Sequence, residues 1–254
     1  MKKVLIIGIG AGNPDYVTVQ AIKAMNATDV FFFLDKGRDK DDLVNLRKAI
    51  CERFIEKPSY RIVEVPSPAR DADDPDYKAG VRAWHTEKAD IFRSLIEKEM
   101  KDDEVGAFLV WGDPSLYDST IRIIQQIVAE GAPPFEYEII PGITSVQALA
   151  AEHKIALNQI GEPIYITTGR KLREGLPSAV NTAVVMLDDG SGLRALVGED
   201  VEIYWGAYLG TPDEILISGK LDDHVDEIER MRAEARARHG WIMDTYLLRR
   251  LPPR

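Results

Sequence analysis

Four short segments bring glycine, proline, hydroxyl and carboxylate residues together at spacings that chemistry can use. The first is Gly8-Ile9-Gly10-Ala11-Gly12-Asn13-Pro14. Glycines there let the backbone turn sharply and come close to a bound group. A dinucleotide fingerprint wants glycines at offsets 0, 2 and 5, and Asn13 stands at the third of these. A nicotinamide site is therefore the weaker reading, and a tight turn that holds nothing stays open beside it. The second segment is Val110-Trp111-Gly112-Asp113-Pro114-Ser115-Leu116-Tyr117. A carboxylate at Asp113 suits an ammonium or sulfonium group, and equally suits the cap of the next helix. The third, Ile139-Ile140-Pro141-Gly142-Ile143-Thr144-Ser145, offers two hydroxyls for a ligand or for an ordinary N-cap. The fourth is Tyr204-Trp205-Gly206-Ala207-Tyr208-Leu209-Gly210-Thr211-Pro212-Asp213-Glu214. Its aromatics and glycines suit a flat ring, or a closely packed turn.

Each segment follows an apolar run, so the elements around them matter. A strand–loop–helix rhythm predicts strands at 4–9, 29–34, 61–65, 107–110 and 136–140. Helices are predicted at 18–26, 41–55, 78–100, 119–130 and 145–153. After a connector over 156–163, strands are predicted at 164–168, 183–187, 202–207, 214–218 and 242–248, with a helix at 222–239. On that helix Asp226/Arg230 and Glu234/Arg238 have i, i+4 spacing. The fold class is α/β with two lobes, 1–158 and 159–254. Each lobe is expected to be a roughly five-stranded sheet flanked by helices, with a ligand cleft between them. The runs 4–9 and 30–34 lack polar alternation, as in a parallel sheet buried on both faces. Phe31-Phe32-Phe33 is therefore read as buried strand in preference to an association surface.

The chain has 254 residues, with 32 Lys plus Arg against 42 Asp plus Glu, a net charge of −10. A hydrophobic fraction of 45% excludes disorder, and the length suits one large or two small domains. Cys51 is the single cysteine, which excludes an intrachain disulfide and a zinc ribbon. The apolar runs fall far below the roughly 20 residues of a membrane span, and the start lacks a signal-peptide core. The expectation is a cytoplasmic protein with no membrane partner. The acidic balance also offers no basic face for nucleic acid, although a local basic pocket can still bind an anion. No metal centre is expected, because His85, His153, His224 and His239 are scattered.

In this order the four motifs resemble the tetrapyrrole (class III) methyltransferases, which methylate corrin and siroheme precursors and include diphthine synthase. The resemblance spans essentially the whole chain. Leu34-Asp35-Lys36-Gly37, Trp84-His85, the run from Gly106 to Pro114, Gly161-Glu162-Pro163 and the tail from His239 to Tyr246 narrow it. They are similar to the branch that methylates C1 of the corrinoid precursor precorrin-5 and releases acetate.

The resemblance implies S-adenosyl-L-methionine as methyl donor and S-adenosyl-L-homocysteine as product, held in the cleft between the lobes. Carried onto this sequence, its contacts fall at Ala11, Trp111, Gly112, Asp113, Leu116, Thr144, Ser145, Met186 and Gly210. Met186 follows from matching Ala183-Val184-Val185-Met186-Leu187 to the family's fourth strand. Many relatives carry Pro or Leu where Ala11 stands, so its contact is through backbone. Release of acetate implies an acid or base, for which Asp35, His85 and Tyr117 are candidates with Asp113 beside them. Substrate carboxylates are matched by Lys36, Arg38 and Arg170, and next by Arg70 and Arg173, with a solvated loop as the alternative for each. A homodimer is implied as well. Three readings stay in competition: a family member acting on another ring carbon or a protein side chain, a nicotinamide oxidoreductase, and a non-enzymatic carrier of an unstable tetrapyrrole.

Overall fold

The computed structural model of the chain describes residues 1–35, 41–56, 59–69, 77–131 and 134–251. They form two compact units, Met1–Gly10 with Pro14–Ile143, and Ala11–Asn13 with Thr144–Arg254. Among the described residues no helix is long and apolar enough to cross a membrane.

The first unit holds β1 (Lys2–Gly8), α1 (Val19–Asn26), β2 (Val30–Asp35), α2 (Asp41–Phe54), β3 (Arg61–Pro66), α3 (Tyr77–Lys98), β4 (Val105–Val110), α4 (Thr120–Ala129) and β5 (Phe135–Ile140). Its strands are all parallel, in the order β3-β2-β4-β1-β5. Successive side chains point to opposite faces, and both faces are covered. Val4, Ile6, Phe32 and Phe108 pack with Phe92 and Ile96 of α3 and Ile123 of α4. Leu5, Ile7, Phe31, Phe33 and Leu109 pack with Met25 of α1 and Ile50 of α2. That double burial is why the inner strands β1, β2 and β4 read as apolar runs, and Phe31, Phe32 and Phe33 are all buried. Phe92 stacks on Phe108 with ring centroids 4.1 Å apart, which docks α3 on β4. Such a pair contributes about 0.5–1.5 kcal/mol beyond its buried area. Thr18 caps α1 by accepting the Ala21 N–H at 3.0 Å.

One ladder in this sheet is short. β1 and β4 pair from Lys3↔Val105 to Gly8↔Val110, whereas β2 and β4 pair only at Val30↔Gly106 and Phe31↔Ala107. Pairing between β2 and β4 therefore stops well before their carboxyl ends.

The second unit holds α5 (Ser145–Glu152), β6 (Tyr165–Thr168), α6 (Gly169–Leu172), β7 (Thr182–Met186), α7 (Ser191–Arg194), β8 (Val201–Ala207), β9 (Ile215–Lys220), α8 (Leu221–His239) and β10 (Asp244–Arg250). The order is β6-β7-β10-β8-β9, with β6 and β7 parallel and the other pairs antiparallel. Both expected five-stranded sheets are present. The division falls at Thr144 and not at residue 159, because α5 packs on β8 and β10. The one-turn helices α6 and α7 were not anticipated, since four residues carry no readable period. On α8 the ion pairs differ from the expected ones. Arg230 pairs with Glu234 at 3.0 Å, and Asp226 pairs with Arg194 at 3.0 Å.

Candidate active site

In the first unit the loops after β1, β4 and β5 meet at the carboxyl ends of their strands, where parallel sheets hold ligands. Main-chain pairing continues past β1 and β4. Ile9 N–H donates to Val110 O at 2.9 Å, and Gly10 and Gly112 exchange hydrogen bonds of 3.3 and 2.8 Å. The loop after β5 presses against both. A Cβ on Gly142 would lie 2.1 Å from Gly112 O, so only glycine fits there.

Asp113 joins the second motif to the third. Its Oδ2 accepts the Gly142 N–H at 2.8 Å, and its Oδ1 accepts the Ser115 N–H at 2.8 Å and the Ser115 hydroxyl. Burial pushes its carboxyl up, but these hydrogen bonds outweigh burial and hold its pKa below the ordinary value. Both oxygens thus shape the loops. Asp113 does not cap α4: the N-cap is Ser119, and Asp118 just before it accepts the Thr120 N–H on Oδ1 at 2.7 Å. Trp111 and Leu116 are half-buried in the same loop. Tyr117 follows with a left-handed φ of 53° and 43% exposure.

In the second unit Thr144 caps α5. Its Oγ1 accepts the Val146 N–H at 3.1 Å, and Gln147 Oε1 accepts the Thr144 N–H at 3.0 Å, a capping box. Ser145 is the first residue of that helix. Ala11 is buried, and a Cβ on its neighbour Gly12 would lie 2.4 Å from Leu209 O. The glycine loop's tip therefore packs on the fourth motif. There Gly210 N–H donates to Glu214 Oε2 at 2.7 Å, and the Tyr208 hydroxyl donates to Trp241 O at 2.6 Å. These bonds make the motif a closely packed turn. Met186 ends β7 opposite Thr245 and is half-buried.

The remaining candidates are dispersed. His85 is half-buried on α3, its ring 5.4 Å from that of Trp84. Burial, then Lys88 and Arg122, hold its pKa below the ordinary value. Asp35 closes β2, and its side chain lies outside those described. Lys36, Arg38 and Arg70 lie outside the described residues. Arg170 is exposed on α6, and Arg173 is exposed at its C-cap. Among the described residues no group of His, Cys, Asp and Glu could hold a metal ion.

Sequence reasoning missed several polar groups. Lys88 is buried, its Nζ 4.4 Å from the Trp84 ring centroid and 3.5 Å from Ser119 Oγ. Its i+4 spacing from Trp84 was a usable signal. Arg47 on α2 donates from Nε to Leu109 O at 3.1 Å, which depends on where a ladder stops and left no local trace. In the second unit Arg232 Nη2 donates to Asp188 O at 2.6 Å. Its Nη1 lies 2.9 Å from Asp244 Oδ2, as an ion pair and not an aligned hydrogen bond. Trp205 donates to Asp244 at 2.8 Å and Tyr246 to Asp188 at 2.7 Å.

Comparison with known proteins adds to this geometry. Residues 3–224 match the family model described as Tetrapyrrole (Corrin/Porphyrin) Methylases. A Sinorhizobium sp. protein named precorrin-6A synthase [deacetylating] is 50% identical over 98% of this chain and 96% of its own length. A crystal structure of a cobalamin-synthesis-related protein (CobF) from Corynebacterium diphtheriae is 40% identical with a TM-score of 0.85. It covers 99% of this chain and 100% of that one. The uroporphyrin-III C-methyltransferase of Thermus thermophilus, solved with S-adenosylhomocysteine, shares the fold at 16% identity. Its TM-score is 0.56, covering 97% of this chain and 96% of that one.

Proposed function

Because the chain belongs to the tetrapyrrole (corrin/porphyrin) methylase family, we propose that it is a precorrin-6A synthase, methylating C1 of precorrin-5 with release of acetate. It is a C-methyltransferase of cobalamin synthesis. The observation that carries the reading is 50% identity to a protein of that name over 98% of the chain.

S-adenosyl-L-methionine, when bound, supplies an electrophilic methyl group and departs as S-adenosyl-L-homocysteine. The junction of Gly10, Gly112 and Gly142 fits such a donor, because it brings three loops together at the carboxyl ends of the parallel strands with no side chain projecting from any of the three residues. Ala11, Trp111, Gly112, Asp113, Leu116, Thr144, Ser145, Met186 and Gly210 are the proposed contacts. Their work is positioning, which in favourable cases is worth roughly 7–11 kcal/mol of the barrier. Asp35, His85 and Tyr117 are proposed for the proton transfers. Neutral His85 is the form that accepts a proton from a water attacking the acetyl carbon. Lys36, Arg38 and Arg170 are proposed for substrate carboxylates. The protein is proposed to act in the cytoplasm as a homodimer, and light scattering at micromolar concentration tests the dimer.

The experiment is calorimetry with S-adenosylhomocysteine, with NAD as control, followed by turnover of precorrin-5. One nucleoside bound per chain, and acetate formed in step with methyl transfer, are expected. Binding of NAD in its place overturns the reading. So does precorrin binding with no consumption of methyl donor, which marks a carrier.

A further inference from the structure

In the second unit β7 is buried from Thr182 to Val185 and half-buried at Met186. Leu187 follows, and its side chain is 67% exposed. Its φ of 53° is left-handed. That region is costly for a bulky residue, and glycine or asparagine serves a turn there better. The other described non-glycine residues with such a φ are polar or aromatic: Asp103, Tyr117, Lys154 and Tyr208. Leu187 belongs neither to the buried core of the second unit nor to the hydrophobics packed against it. Its backbone and its exposed apolar side chain thus both work against folding.

The residues on either side of it are fixed. Before it, Val185 O accepts the Thr245 hydroxyl at 2.9 Å, and Met186 pairs with Thr245 in the ladder with β10. After it, Asp188 is buried, and its carbonyl accepts from Arg232 Nη2 at 2.6 Å. Asp188 Oδ1 accepts the Gly192 N–H at 3.1 Å, and Oδ2 accepts the Leu193 N–H at 3.1 Å and the Tyr246 hydroxyl at 2.7 Å. A Cβ on Gly169 would lie 2.0 Å from Asp188 Oδ1, so the start of α6 closes on the carboxylate as well. A strained residue persists where its surroundings over-determine it, and such residues cluster where ligands are held. Asp188 is the pedestal here, and Leu187 is the group it presents.

We propose that Leu187 is a substrate contact, an apolar platform for one face of the tetrapyrrole macrocycle. This rests on the methyltransferase reading and names a residue that selects its substrate. Leu187 stands next in the chain to Met186, which that reading gives to the methyl donor. An isobutyl group has no charge and no hydrogen bond to offer, so what it recognises is apolar surface. Of the two ligands in the reaction, the macrocycle has the broad apolar face, with its carboxylates at the periphery. Small ligands sit in concave pockets that enclose most of their surface. A side chain as exposed as Leu187 stands on a rim, across which a larger flat ligand can lie. Because its backbone is already fixed, little freedom is lost when that ligand binds.

The test uses the full-length chain as wild type, Leu187→Asn and Leu187→Met. Each is unfolded in urea, titrated with uroporphyrin by fluorescence, and titrated with S-adenosylhomocysteine by calorimetry. Asparagine tolerates the left-handed turn, so Leu187→Asn is expected to raise the urea midpoint. The same variant is expected to weaken uroporphyrin about tenfold, the scale of one lost apolar side-chain contact, with nucleoside affinity unchanged. Leu187→Met, which keeps the apolar volume, is expected to stay within about twofold of wild type. In turnover, Leu187→Asn raises KM for precorrin-5 while kcat is held. Wild-type uroporphyrin affinity in Leu187→Asn overturns the contact alone, and so does an unchanged KM for precorrin-5. A parallel loss of nucleoside affinity overturns it too, because the side chain then serves the donor. A lowered urea midpoint shows that the fold itself needs the leucine and removes the ground for the proposal. A wild-type protein that binds no S-adenosylhomocysteine overturns the methyltransferase reading and the contact with it.

Discussion

Asp113 uses both carboxylate oxygens on its own chain, so its substitution should be felt twice. Asp113→Ala leaves the Gly142 and Ser115 N–H groups without their acceptor. It is expected to cost about 1–3 kcal/mol in urea unfolding and to weaken S-adenosylhomocysteine by about tenfold in calorimetry. Its folded pKa is depressed, so this stabilisation is present above the ordinary carboxylate range and is lost as pH falls through the folded value. The residue type was legible, because Gly-Asp-Pro after a strand marks a turn at a strand's carboxyl end. The partner was not, because Gly142 lies in a different loop and no local spacing links the two. The same holds for Arg47, whose acceptor exists only because a neighbouring ladder ends early.

Elements were more legible than their partners. The inner strands of the first unit, β2, β4 and β1, show as apolar runs because helices cover both faces, and Thr18 and Thr144 announce helix starts by type. Thr144→Ala should lower stability by about 1 kcal/mol in chemical denaturation, and Thr144→Ser should keep most of it, because the hydroxyl is the cap. Loss of nucleoside affinity well beyond that change would assign Thr144 to the ligand as well. At α8 the stakes are higher. Arg232 and Asp244 have side chains 8% and 5% exposed, joining the helix to β10. Arg232→Met strands a buried carboxylate and should cost about 3–5 kcal/mol by thermal or urea unfolding. An Arg in the middle of a helix reads as a solvated face. Only the sheet's register with Asp244 shows that it points inward, and register is a long-range property.

At the scale of the whole molecule, acid sensitivity has a specific contributor. Arg61 on β3 donates to both oxygens of Glu104, just before β4, and the Lys101 N–H adds a third hydrogen bond. Led by the Arg61 bonds, they pull the Glu104 pKa down to about 2. A depressed carboxylate stabilises the fold above its unfolded value and stops doing so as pH falls through the folded one. Glu104→Gln should therefore lower stability at neutral pH and flatten the loss of stability between about pH 4.5 and pH 2, read from urea midpoints across that window. An unchanged acid profile would move the contribution elsewhere. The two-unit α/β plan itself was legible from rhythm, but the boundary was not, because α5 joins the second unit by packing and not by any signal in its composition.

Ala11–Asn13 have a further consequence, which concerns synthesis and inheritance. The ribosome makes this tripeptide more than a hundred residues before Thr144, yet it is grouped with Thr144–Arg254, and the space beside Gly12 is filled by Leu209 and Thr211. When β5 emerges, the first unit has its whole sheet but carries one loop tip whose neighbours are still untranslated. A gene cut at residue 143 would leave that tip on the wrong piece. Neither half is then an exchangeable cassette, and recombination between relatives should succeed only where both crossovers keep the tripeptide and the fourth motif from the same parent.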